Sequence, residues 1–116
     1  MATFQVRSSQ RDKQTDQERV SSIAKAIDAA IASAEKERSA LRIRVKDAQD
    51  LAALAAGNES DEYLTRDAKD TRRIVGYEQQ LVAGHKRIEA LNTHISNLNA
   101  VREVCRARFP DPNETN

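Results

Sequence analysis

A seven-residue apolar repeat between Ile74 and Cys105 limits what this chain can fold into more than any other feature. Ile74, Leu81, Ile88 and Ile95 form one column of the repeat, and Tyr77, Gly84, Leu91, Leu98 and Cys105 form the other. Steps of alternately three and four residues draw one narrow stripe along an α-helix, whereas a strand repeats every second residue. A stripe that narrow is buried against another helix.

The candidate partner lies upstream. Val20, Ile27, Ala34, Leu41, Ala48 and Ala55 recur every seven residues, and Ala24, Ile31, Val45 and Ala52 run beside them, with Arg38 interrupting the second column. Twelve alanines between Ala24 and Ala56 favour helix and leave a slim surface for close approach. Three Gly and two Pro supply little material for further turns. Aromatics are 3% of the chain and Trp is absent, which suits a thin helical core better than a thick globular one.

Local signals set the expected boundaries. Residues 1–14 are polar apart from Phe4 and Val6 and read as a flexible arm. Thr15-Asp16-Gln17-Glu18 has the form of a capping box, opening a first helix over 15–56, with a start nearer Ser9 as the alternative. Gly57 suits the residue just past a helix, so the spacing predicts a turn at 57–60. A second helix then runs over 61–108, with Asp61 and Glu62 in its first turn. Phe109-Pro110-Asp111-Pro112 stops it and leaves residues 110–116 as a tail. The predicted fold is therefore all-α: one domain over 15–109, a long antiparallel αα-hairpin with a coiled-coil-like seam. A turn at 57–60 places residues whose numbers sum to about 117 side by side. Val20 then meets Leu98, Ile27 meets Leu91, Leu41 meets Tyr77, and Ala34 falls opposite Gly84.

Two helices sharing one seam bury little surface. Ile23, Ile43, Val75, Val82, Val101 and Val104 lie off that seam and widen the apolar stripe. The expected remedy is a homodimer closing into a four-helix bundle, or docking to another helical protein. Glu59, Asp61 and Glu62 make the turn acidic, and Arg7, Arg11, Lys13, Arg102, Arg106 and Arg108 make the opposite end basic. That polarity suits two hairpins packed antiparallel.

Signals for chemistry are sparse. A net charge of +1 exerts no global pull on nucleic acid or membrane. The single Cys105 leaves no intramolecular disulfide, and neither a leader nor an apolar run of about 18 residues is present, so a cytoplasmic protein is expected. His85 and His94 are nine residues apart, on opposite sides of a helix, and cannot share a metal as a pair four apart does. No catalytic, cofactor-binding or metal-binding residue is assigned, and no cofactor is expected. The candidate interface is the seam: Val20, Ile27, Ala34, Leu41, Ile74, Leu81, Gly84, Ile88, Leu91, Ile95 and Leu98. A second set, Arg42, Arg44, Lys46, Lys69, Arg72 and Arg73, comes level in the predicted register and offers phosphate contacts. Asp47, Asp50, Asp67 and Asp70 are interspersed with it, and no aromatic platform for bases accompanies it. The function expected is a non-enzymatic interaction, structural or adaptor protein, with a nucleic-acid-associated protein as the alternative. In architecture alone the hairpin resembles the stalk and adaptor proteins of bacterial export machines, a likeness of fold that fixes no function.

Overall fold

The structure, a computed structural model, describes residues 8–57 and 68–111. These residues form two helices, α1 (Ser9–Gly57) and α2 (Ala68–Arg108), of 49 and 41 residues. The fold is an all-α antiparallel helical hairpin, with no strand among the described residues.

The start of α1 corrects the boundary at 15 in favour of the alternative near Ser9, because residues 9–14 are helical rather than part of an arm. The cap is Ser8. Its hydroxyl oxygen accepts the Arg11 amide at 3.2 Å, its carbonyl accepts the Asp12 amide at 3.1 Å, and Asp12 places a carboxylate in the first turn. Thr15 is thus inside the helix and donates its hydroxyl to the Arg11 carbonyl at 3.0 Å. Gly57 also remains helical, and no described glycine has a positive φ. Residues 58–60 of the expected turn and residues 61–67 of the expected second helix lie outside the described residues. α2 closes where Phe109 donates its amide to the Cys105 carbonyl at 2.9 Å, just before Pro110.

The chain divides into two compact units, Ser33–Ser96 and Met1–Ala32 with Asn97–Asn116. In the first, Ala34, Leu91 and Ile95 form a buried cluster with Leu41 packed against it, and Val45, Ala48 and Ile74 are buried as well. Leu91 is 1% exposed; burying such a side chain contributes about 1.5–3 kcal/mol. In the second unit Ile31 is buried, while Val20, Ala24, Ile27, Leu98 and Cys105 are half-buried. Along both helices the non-exposed positions keep the three-four spacing of the sequence repeat.

The register differs from the expected one. Leu91 clusters with Ala34, one full heptad beyond Ile27, and Gly84 lies against Val45 rather than Ala34. Each of these α2 residues thus meets a later part of α1 than the expected register gives. A heptad repeat alone cannot distinguish the two alignments, because a shift of seven lays apolar positions on apolar positions again.

Two glycines inside α2 have opposite surroundings. A Cβ added at Gly84 would stand 2.5 Å from Val45 Cγ2, whereas one added at Gly76 meets nothing within 4 Å. Val45 is buried and, being β-branched on a helix, has one strongly preferred rotamer, so it yields poorly. We expect Gly76→Ala to raise stability by up to about 1 kcal/mol through helix propensity. Gly84→Ala should lower it by about 1–3 kcal/mol through overpacking. Adding Val45→Ala to Gly84→Ala should relieve the clash. Urea unfolding followed by circular dichroism measures all three, and a stabilising Gly84→Ala would contradict the close contact.

Candidate interaction surface

Along each helix the side chains sort into an inward stripe, its flanks and an outer face. Of the predicted seam residues, Ala34, Ile74, Gly84, Leu91 and Ile95 are buried, and Val20, Ile27, Leu41, Leu81, Ile88 and Leu98 are half-buried. Two arginines occupy the same stripe. Arg38 continues the Ile31–Val45 column of α1, and Arg102 follows Ile95 by seven residues in α2. Both are half-buried, and among the described residues their Nε atoms are buried without a hydrogen-bond partner. Their outer nitrogens do find acceptors. Arg38 Nη1 donates to Asn92 Oδ1 at 2.9 Å, and Arg102 Nη1 reaches Asp28 Oδ1 at 3.5 Å, with Nη2 donating to Asn99 Oδ1. Sequence reasoning treated Arg102 only as part of a basic end; extending the Ile74–Ile95 column by one step would have found it.

The flank of the Ser33–Ser96 unit carries a bidentate ion pair. Arg87 donates through Nε to Glu37 Oε2 at 2.7 Å and through Nη2 to Oε1 at 3.0 Å. That hydrogen bonding, reinforced by the Arg87 charge and by the field of His94, holds the Glu37 carboxyl below its ordinary range despite some desolvation. The same contact raises the Arg87 pKa. Both groups are solvated, which limits what the pair adds to stability.

The outer faces are more apolar than a solvated hairpin requires. Ile43, Leu51, Leu54, Val75 and Val82 are exposed in one unit, and Ile23, Val101, Val104 and Phe109 in the other. Exposure of Val82 reaches 69%. Leu51, Leu54 and Phe109 escaped the sequence reading of the flanks because it followed valine and isoleucine. In the unit holding both chain ends, an open groove runs between α1 and α2. Val20, Ile23, Ala24, Ile27, Cys105 and Phe109 form its apolar lining, and Asp16, Arg19, Asp28, Arg102, Arg106 and Asp111 add charge.

The six basic residues singled out in the sequence are all exposed. Helix geometry puts Arg42 and Lys46 on one side of α1 and Arg44 on the other, while Lys69, Arg72 and Arg73 share one side of α2. Lys46 pairs with Asp50 at 3.4 Å, and Arg72 Nε donates to the Ala68 carbonyl at 3.2 Å. The acidic residues Glu59, Asp61 and Glu62 of the expected turn lie outside the described residues. Among the described residues no group of three or more His, Cys, Asp or Glu could hold a metal, and no helix is long and apolar enough to cross a membrane. The chain matches no known family model, no curated protein and no solved structure.

The ion pair has a pH signature. A carboxyl whose pKa is depressed by folding contributes stability above its unfolded pKa and loses it as pH falls through the folded value. Glu37→Gln should therefore lower the thermal midpoint at neutral pH. The difference from the wild type should close as pH falls below the ordinary glutamate range. A gap independent of pH would remove the ion pair as its cause.

Proposed function

We propose that the chain is a non-enzymatic coiled-coil interaction module, a structural or adaptor protein that self-associates through the flanks of its hairpin. The supporting observation is the set of large apolar side chains left exposed beside the seam, Ile23, Val101 and Val104 in one unit and Ile43, Leu54, Val75 and Val82 in the other. Single exposed apolar residues need no explanation, but rows of them along helices mark surfaces that other helices cover. The simplest cover is a second copy, giving a four-helix bundle. Another helical protein presenting the same kind of face is the alternative occupant. The single thiol Cys105, half-buried and free, fits a reducing cytoplasmic setting.

Light scattering behind size exclusion, over a tenfold concentration range at low and high salt, tests this reading. A dimer is the expected result. The double variant Ile23→Ser/Val101→Ser should shift it toward monomer with the helical circular-dichroism signal retained. A wild-type chain that stays monomeric at every concentration, folded and soluble, would overturn self-association.

A further inference from the structure

We propose that Arg38 and Arg102 set the heptad register of the hairpin, selecting the observed alignment over the one displaced by seven residues toward the start of α1. Most of the apolar seam repeats under that shift, with leucine, isoleucine and alanine again facing one another, although Gly84 would leave Val45 for Arg38.

The arginines add a polar discriminator to that contact. Each stands in the inward column of its own helix and reaches a polar residue on the flank of the other. Arg38 of α1 reaches Asn92 of α2, and Arg102 of α2 reaches Asp28 of α1. The two contacts are antiparallel counterparts, for Arg38 lies ten residues after Asp28 and Arg102 ten after Asn92. Each Nε is already buried without a hydrogen-bond partner among the described residues, so the guanidinium depends on its outer nitrogens for compensation. Displacing α2 by one heptad replaces Asn92 with His85 and Asp28 with Ser21. An amide and a carboxylate acceptor become an imidazole and a short hydroxyl. Each arginine then loses its acceptor on the opposite helix, Arg102 keeping only Asn99 of its own helix, while the repeated apolar contacts offer nothing in exchange. The arginines thereby keep the seam in one intrachain alignment and leave the flanks as the surface for partners. This holds whether or not the chain self-associates.

Cysteine pairs read the register in the full-length chain carrying Cys105→Ala. Glu37→Cys with Arg87→Cys reports the observed alignment, since those side chains meet across the flank. Glu37→Cys with Gln80→Cys reports the displaced one, Gln80 lying seven residues before Arg87. With a short bismaleimide, the first pair should crosslink within one chain and the second poorly. Adding Arg38→Leu/Arg102→Leu should raise the yield of the second pair several-fold relative to the first. An unchanged ratio would overturn the proposal. Should the leucine variant lose helical signal, Asp28→Ala/Asn92→Ala removes the acceptors from exposed positions, and the same rise is expected. A flat ratio there is equally fatal.

Discussion

Close seating of α2 on α1 is the constraint on which the Ser33–Ser96 unit depends. Gly84 contributes no side chain, and Val45 occupies the space that one would take. A glycine in mid-helix costs about 1 kcal/mol relative to alanine, and here the cost is offset by contact with a buried, rotamer-restricted valine. Ala34 and Ala48 extend the same logic along α1, because small residues bring the helix axes close enough for Leu91 and Ile95 to be covered. A core this slim needs no aromatic filling, which accounts for a chain with 3% aromatics folding as two helices.

A slim seam has little stability to spare, so polar residues within it carry weight. Replacing a buried charge by an apolar side chain of similar volume is often neutral or stabilising, and buried polar groups are best attested as devices of alignment. Arg38 and Arg102 fit that role. Each leaves Nε without a hydrogen-bond partner among the described residues and directs Nη1 to an acceptor on the opposite helix. The Glu37–Arg87 pair sits outside the stripe in solvent and acts more weakly, as a pH-dependent adjunct.

Two helices have more surface than one seam can cover, and the excess is partly apolar. Ile23, Val101, Val104 and Phe109 beside the groove of one unit, and the leucines and valines on the other, give the molecule faces suited to helix packing. The basic residues follow a different pattern. Arg44 projects away from Arg42 and Lys46, and Lys46 is engaged by Asp50.

Periodicity by itself determined the fold class and the inward residues of both helices. Val20, Ile27, Ala34, Leu41, Leu81, Gly84, Leu91 and Ile95 were legible because a 3.6-residue helix turns any three-four repeat into one stripe. The start of α1 follows the alternative near Ser9, since Thr15 and Glu18 imitate a cap that Ser8 supplies seven residues before Thr15. Only the tertiary structure decided what lies across the seam: Val45 against Gly84, Ala34 beside Leu91, Asn92 and Asp28 beside the arginines. The physical reason is that a heptad pattern is unchanged by a shift of seven. Which alignment forms is therefore not written in the repeat, and the contacts across the seam show it.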